Sequence, residues 1–222
     1  MAAPAEVTLK DLTGNWVMVR LSPALLSSNH QSPISHQHSP LPPTQANTHP
    51  SPQNKTLSDD TDAVLALQGI GWWTRKAISL ATVTLHTKQY VEENITHIDI
   101  EQTATGGVKG TTELRALNWV EHTHTDHVFG TVKGKARWSS FQEIDDEFLK
   151  EGWLEGEEEA AGPEGEKHVE SFAVNEEKGW TARQIWGFAT VDGKRYYTRR
   201  VVVTKGSEVL KVRLVYNWQG KK

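Results

Sequence analysis

The stretch TARQIWGFATVDGKRYYTRRVVVTKGSEVLKVRLVYNW, residues 181–218, decides the fold. Runs rich in β-branched and aromatic residues occupy positions 181–191, 195–204 and 208–218, and the dipeptides Asp192-Gly193 and Lys205-Gly206 separate them. Runs of this composition joined by short glycine turns are typical of antiparallel hairpins. The C-terminal part of the chain therefore predicts two consecutive hairpins.

The same pattern continues upstream. Further candidate strands lie at residues 82–87, 95–103, 111–119, 124–131, 135–141 and 169–175, with turn residues at Gly106-Gly107 and Lys133-Gly134. A succession of hairpins forms an antiparallel meander, and such a sheet removes its exposed edges by closing on itself. We expect a mostly β fold, a closed antiparallel up-and-down β-barrel.

Two short helices are predicted near the N-terminus. Ser58 is a candidate N-cap, and the acidic residues that follow it would lie in the first turn, where the helix dipole favours carboxylates. Gly69 would end this helix and Gly71 would begin the second one.

The chain is predicted to be a single domain, residues 1–222, with two insertions. The first, residues 19–53, holds seven of the nine prolines and, from residue 21 onward, no acidic or basic residue. Such a segment cannot bury enough apolar surface to offset its ordering entropy, so we expect it to be disordered. It is either a translated retained intron, whose removal would join Met18 to Asn54, or a tolerated surface insertion, and the sequence leaves both explanations open.

The second insertion, residues 143–170, is acidic and contains the run EGEEE at positions 155–159. Dense like charge interspersed with glycine and proline is typical of a solvated loop. Residues 144–153, at the front of this segment, are predicted to form one short helix.

Composition argues against several classes of protein. The formal net charge is −4 and the basic residues are scattered, so we expect no nucleic-acid partner. No apolar run approaches the ~20 residues that span a bilayer, and the N-terminus lacks the pattern of a secretory signal. The chain has no cysteine, as a cytosolic protein allows. We expect a cytoplasmic monomer that does not span the membrane.

Two motifs carry a resemblance to a known superfamily. Gly14-Asn15-Trp16, in the predicted opening strand, resembles the G-x-W signature of the lipocalins and the intracellular fatty-acid-binding proteins. The sequence ALQGIGWWTRKA at residues 66–77 resembles the helix-turn-helix of the fatty-acid-binding proteins. The chain is thus similar to the calycin superfamily, in which two helices cover a barrel that holds a lipid.

The resemblance implies a ligand-binding site inside the barrel. The family grasps a carboxylate with an Arg-x-Tyr pair on a late strand, and here Arg195 and Tyr197 match that pattern, with Arg199 on the same strand face. Arg213 on the last strand is a further candidate anchor. Aromatic candidates for the lining are Trp72, Trp73, Trp119, Trp138, Trp186 and Phe188.

The first functional hypothesis is binding and carriage of a hydrophobic small molecule, such as a fatty acid, in the barrel cavity. Burying about ten methylene groups would contribute ~8 kcal/mol. A charge-assisted hydrogen bond adds only ~1.5–3 kcal/mol. The apolar lining would therefore set affinity, and an arginine or tyrosine would set orientation.

The second hypothesis is an enzyme without a metal or other cofactor, an isomerase, dehydratase or cyclase acting on a hydrophobic metabolite in the same cavity. His97, Asp99 and Tyr197 are the candidate acid–base groups. A third possibility is an interaction protein that uses the acidic insertion. His122, His124 and His127 suggest a zinc site, but strand alternation puts His127 on the opposite face, so we expect no metal.

Overall fold

The computed structural model describes residues 1–20 and 57–221. Within these residues, ten strands form one antiparallel sheet. The strands are β1 (Gly14–Met18), β2 (Thr84–Glu92), β3 (Ile95–Ala104), β4 (Val108–Ala116), β5 (His122–Asp126), β6 (Gly130–Ser139), β7 (His168–Asn175), β8 (Trp180–Val191), β9 (Lys194–Lys205) and β10 (Glu208–Trp218).

The sheet curls into a nearly closed barrel, in the order β4-β3-β2-β1-β10-β9-β8-β7-β6-β5. The first strand joins the last, with Trp16 opposite Trp218. Strands β4 and β5 are the two ends of this order, and no ladder joins them in the described parts of the chain. The predicted mostly β, up-and-down antiparallel barrel is confirmed, with a gap between β4 and β5.

Two helices between β1 and β2 form the predicted lid, α1 (Asp62–Leu67) and α2 (Trp72–Leu80). Gly69 follows α1 with a φ of +78°, a conformation that favours glycine and ends the helix as predicted. The helix α2 has no buried residue among those described. A third helix, α3 (Glu147–Lys150), lies between β6 and β7, and short 3₁₀ turns occur at Thr105–Gly107, Phe141–Glu143 and Glu157–Glu159.

An aromatic cluster fills the end of the barrel away from the lid. Trp16 is fully buried, and its ring centroid lies 4.6 Å from that of Trp218, 5.0 Å from Tyr197 and 6.3 Å from Phe188. Its indole N–H donates to the carbonyl of Leu12 at 3.0 Å. The G-x-W motif therefore places one large side chain where β1, β8, β9 and β10 meet.

The turn between β5 and β6 corrects one prediction. Lys133 and Gly134 lie inside β6, so the predicted strands 124–131 and 135–141 were wrongly divided. The turn occupies residues 126–130 instead. The carboxylate of Asp126 accepts hydrogen bonds from the N–H groups of Val128 and Phe129, both at 2.7 Å, which stabilises a turn that ends at Gly130.

The helix start predicted at Ser58 is also wrong. The helix α1 begins at Asp62, with Thr61 at the N-cap. The Ser58 hydroxyl instead donates to the carbonyl of Val215 at 3.2 Å and accepts from its N–H at 2.9 Å. This side chain therefore ties the chain that precedes the lid to β10.

The acidic segment 143–170 packs on the outer face of the barrel, where the sequence predicts a solvated loop. Ile144 and Leu149 are fully buried there. They pack with outward-facing residues of β8, β9 and β10. Its two buried acids are paired: Glu159 lies 2.7 Å from Arg195, and Glu170 lies 2.7 Å from Arg183. Apolar side chains between the acidic residues, and basic partners on the strands, explain the difference.

No helix in residues 1–20 or 57–221 is long and apolar enough to cross a membrane. Of the predicted insertion 19–53, residues 21–53 lie outside the described residues. Val19 and Arg20 are described, and the N–H of Val19 donates to the carbonyl of Val215 at 2.9 Å.

We expect Trp16→Ala to lower the free energy of unfolding by ~3–5 kcal/mol, because it empties the centre of the aromatic cluster. Urea denaturation followed by circular dichroism measures this change. Trp73→Ala is the matched control, since Trp73 is 81% exposed and its replacement should change stability by no more than ~0.5 kcal/mol. Equal losses in the two variants would contradict this account of the fold.

Candidate functional site

A cavity of about 850 Å³ lies between the lid and the aromatic cluster. Much of its lining is apolar, with contributions from the lid and from strands on all sides, including Ile78, Leu85, Ala173 and Leu214. Its outline reaches the gap between β4 and β5, where Leu114 and His124 border it. The barrel is therefore packed solid at one end and hollow at the other.

Arg199 lies at the boundary between the cavity and the aromatic cluster. It lines the cavity and is 3% exposed. Its guanidinium carbon lies 3.9 Å from the ring centroid of Trp186, and its Nε donates to the hydroxyl of Tyr197 at 2.9 Å. These contacts hold a cationic group in place at the floor of the cavity.

A carboxylate from the opposite side of the barrel meets Arg199. The Nη1 atom of Arg199 donates to both carboxylate oxygens of Glu113, at 3.3 and 3.2 Å. Gln102 Nε2 donates to Glu113 at 2.8 Å, and Arg115 Nη2 lies 3.6 Å from the same carboxylate. The pair Arg199–Glu113 therefore connects β9 to β4 through the interior.

The register of β4 explains why its charged residues point inward. Glu113 pairs with Ile100, and Arg115 pairs with Ile98. Both isoleucines are fully buried in the barrel core. Because directly opposite residues of an antiparallel pair face the same side of the sheet, Glu113 and Arg115 also face the interior.

The charges at this end of the cavity stabilise one another. Burial alone would raise the pKa of the Glu113 carboxyl, but Arg199 and Arg115 outweigh that effect and the pKa is lowered. Burial alone would lower the pKa of Arg199, but Tyr197 and Glu113 outweigh it and the pKa is raised. Burial raises the pKa of Tyr197. At neutral pH the site therefore holds a carboxylate, a guanidinium and a neutral phenol.

Two N–H groups at this end lack a hydrogen-bond acceptor among the described residues, Arg199 Nη2 and Arg115 Nε. We call these two groups the donor pair. They belong to the buried Arg199 and the partly buried Arg115, which share one carboxylate, Glu113. A buried donor without an acceptor costs free energy.

Four predicted site residues lie together at the floor. Trp186, Phe188, Tyr197 and Arg199 are all buried, and the first three belong to the aromatic cluster. Of these four, Arg199 is the one that borders the cavity. The aromatic residues support Arg199 from below.

The two other predicted arginines lie away from the cavity. Arg195 binds Glu159 and donates to the carbonyls of Pro4 and Val7, both at 2.9 Å, which fastens the N-terminal segment across the closed end. Arg213 lies on the outer side of β10, where its Nη2 donates to the carbonyl of Leu57 at 3.2 Å.

The remaining predicted tryptophans also lie outside the cavity lining. Trp72 and Trp73 contact each other on the outside of α2, with ring centroids 4.4 Å apart, and both are exposed. The Trp119 ring lies beneath the ammonium of Lys135 at 4.4 Å. Trp138 packs at the edge of the aromatic cluster.

The candidate acid–base groups His97 and Asp99 lie on the face of β3 opposite Ile98 and Ile100. The imidazole of His97 stacks on Tyr90, with centroids 5.0 Å apart. The two residues border the cavity only where its outline passes through the β4–β5 gap. No group of three or more histidine and acidic side chains in the described part of the chain is arranged to hold a metal ion.

Sequence reasoning missed Glu113, Arg115 and Gln102. In the run TTELRAL, residues 111–117, the alternation suggests that Leu114 faces the core, whereas Leu114 is 58% exposed and the charged residues face inward. The signal that could have found them is the pair Glu113 and Arg115 itself, because two opposite charges at alternate positions of a strand share one face.

The fold and the cavity define a ten-stranded antiparallel β-barrel with a lidded internal site. No protein-family profile matches the chain. It is 30% identical to the protein named "Probable pericyclase scpY" from Mollisia scopiformis, over 99% of this chain and 95% of that protein. It is 34% identical to "Pericyclase pydY" from Acremonium sp, over 80% of this chain and 94% of that protein. The chain belongs to the family of these two proteins.

Among solved structures, the Echinococcus granulosus fatty-acid-binding protein 1 has a similar architecture. Its TM-score with this chain is 0.47 and its identity 11%, and the match covers 94% of this chain and 98% of that one. The likeness is distant, and nothing about the ligand of this chain follows from it.

We expect Glu113→Gln to lower the free energy of unfolding at neutral pH by ~2–4 kcal/mol, because the buried Arg199 and the partly buried Arg115 lose the carboxylate that they share. The folded-state pKa of Glu113 lies below its ordinary value of 4.5. The unfolded chain therefore takes up the proton first as the pH falls, and the stability that Glu113 contributes is lost on the acid side of 4.5.

Urea denaturation of wild type and Glu113→Gln at pH 7 and at pH 3 tests this expectation. The difference between the two proteins should shrink at the lower pH. Glu101→Gln, at an exposed position on β3, is the control and should show little difference at either pH. A difference for Glu113→Gln that is constant with pH would contradict the assignment of a buried, ionised Glu113.

Proposed function

We propose that this protein is an enzyme that catalyses a pericyclic ring closure of an apolar, unsaturated substrate inside the barrel cavity. The observation that carries the proposal is the identity of 30% and 34% to two proteins named pericyclases, over nearly their full lengths. Of the three hypotheses drawn from the sequence, this favours the second, and within it the cyclase.

A pericyclic reaction forms and breaks its bonds in one concerted step, without an ionic intermediate. The enzyme's main contribution is then to hold a flexible chain in the folded conformation in which the reacting carbons meet. A cavity of about 850 Å³ with a largely apolar lining, closed at one end by the aromatic cluster and covered by α1 and α2, supports such a role.

The donor pair supports a second contribution. If the reacting alkene carries a carbonyl group, a guanidinium can donate a hydrogen bond to the carbonyl oxygen. This bond withdraws electron density from the alkene and lowers the energy of the transition state. Arg199 is suited to this because Glu113, Tyr197 and Trp186 hold it in place before the substrate arrives. We assign Arg199 the role of carbonyl donor and Arg115 that of its partner.

Carriage of a hydrophobic small molecule remains the second candidate, and the apolar cavity favours it. Carriage and catalysis share the binding step and differ only in whether the ligand leaves changed. The cytoplasmic location, the monomeric state and the lack of a nucleic-acid partner stay predictions from the sequence.

The test uses a linear trienone in which an enone and a conjugated diene are joined through three methylene groups. This compound closes slowly by itself to a mixture of fused bicyclic ketones. We expect the wild-type protein to accelerate closure and to change the ratio of stereoisomers, as measured by chiral gas chromatography. Arg199→Gln should slow the catalysed reaction by ~10–100-fold, the value of one charge-assisted hydrogen bond.

Arg200→Gln is the matched control. Arg200 is the next residue of β9, is also buried, and faces outward, where it donates to the carbonyl of Phe148 at 3.1 Å. Its replacement should leave the rate within about twofold of wild type, since it does not line the cavity. Binding of the trienone without acceleration, in a protein shown to be folded, would favour carriage over catalysis.

A further inference from the structure

One wall of the cavity is built from the smallest side chains. Gly134 on β6, Ala173 on β7 and Ala182 on β8 all line the cavity. Gly134 lies directly opposite Ala173, and Ala173 lies directly opposite Ala182. We call this row the small-residue wall. Because neighbouring strands lie ~4.8 Å apart, the wall extends roughly 10 Å across three strands.

The opposite side of the cavity is different. It is formed by larger side chains of β1, β2, β10 and the lid, among them Met18, Leu85, Leu214 and Ile78. The row formed by Gly134, Ala173 and Ala182 therefore projects nothing larger than a methyl group, whereas the opposite side projects longer side chains. Ala173 is at the centre of the small-residue wall and is partly exposed to the cavity, whereas Ala182 is buried.

Two arginines border the cavity near this wall. A Cβ atom added to Gly134 would lie 3.8 Å from Arg115 Nη1, so the guanidinium of Arg115 rests beside the wall. Arg199, which is 3% exposed, borders the same cavity at the floor and shares Glu113 with Arg115. A molecule whose apolar part lies on the wall would therefore have cationic side chains that border the same cavity, Arg115 and Arg199, near an oxygen atom that it carries.

We propose that the small-residue wall selects ligands by shape, and that Ala173 is a specificity-determining residue. The wall accepts the broad face of a compact group, either a folded chain or a fused ring system, attached to a carbonyl or carboxylate oxygen. This inference rests on the proposed function. A wall of this shape favours the folded substrate conformation from which ring closure proceeds.

The wall should prefer compact ligands because an extended ligand leaves part of it without contacts. Dispersion attraction falls steeply with distance, so a ligand atom gains most when it lies directly on the wall. A single extended chain would cover one strip of a surface three strands wide, and the rest would remain without a partner. A compact group covers the whole row and also loses less conformational entropy on binding.

The experiment compares two carboxylic acids with eleven carbon atoms each, trans-decalin carboxylic acid and undecanoic acid. They carry the same head group and the same number of carbon atoms, and they differ in the shape and flexibility of the hydrocarbon part. We expect the wild-type protein to bind the fused-ring acid at least about tenfold more tightly, which corresponds to ~1.4 kcal/mol. Isothermal titration calorimetry measures both dissociation constants.

Ala173→Leu places three extra carbons at the centre of the wall. It should weaken binding of the fused-ring acid at least about tenfold while changing that of undecanoic acid less than about threefold, because a flexible chain can pass around the new side chain. Val174→Leu is the matched control, since Val174 is the next residue of β7 and faces outward. It should leave both affinities within about twofold of wild type.

Equal binding of the two acids by the wild type, or an equal loss of both affinities in Ala173→Leu, overturns the proposal. If Ala173→Leu lacks a cooperative thermal transition, Ala173→Val provides the same comparison with a smaller expected change. The outcome is separate from that of the proposed function. If the protein prefers the fused-ring acid but does not accelerate closure of the trienone, the proposal about the wall stands and the proposed enzymatic function is wrong. If it accelerates closure but shows no shape preference, the proposed function stands and the proposal about the wall is wrong.

Discussion

The interior of this barrel is organised by one constraint, that a buried carboxylate needs cationic partners. Glu113 on β4 is held by Arg199 on β9 and approached by Arg115 from its own strand. Because an isolated buried charge is far more costly than a paired one, these side chains define a fixed polar layer across the barrel. Below it the aromatic cluster packs without space, and above it the cavity begins.

This division explains why the two ends of the molecule are sealed by different means. At the packed end, the N-terminal segment is fastened by Arg195, and Leu9 and Leu12 complete the aromatic cluster. At the hollow end, the cover consists of two short helices joined through Gly69. The packed core never opens, so fixed contacts can cover its end. A cavity that a ligand enters and leaves needs a cover that can open.

The sequence predicts the barrel well because hairpin signals are local. The alternation in residues 181–218 and the turns at Asp192-Gly193 and Lys205-Gly206 match β8, β9 and β10. The sequence predicts the polar layer of Glu113, Arg199 and Arg115 only in part. The Arg-x-Tyr pattern points to Arg195 and Tyr197, and Arg199 is found because it shares their strand face. The inward direction of Glu113 depends on its pairing with Ile100, which is a long-range contact. The turn at Lys133-Gly134 failed because the carboxylate of Asp126 stabilises a turn earlier in the chain.

The weak attachment of α2 would set how long a bound molecule stays in the barrel. This helix has nine residues, and those described include no buried one. A hydrogen bond of 2.8 Å from Arg20 to the carbonyl of Ile78 fastens its last turn. A helix of this length is marginal by itself. The helix should detach far more often than the barrel unfolds, so the residence time of a bound molecule would be governed by fraying at the rim rather than by the strength of the β-sheet.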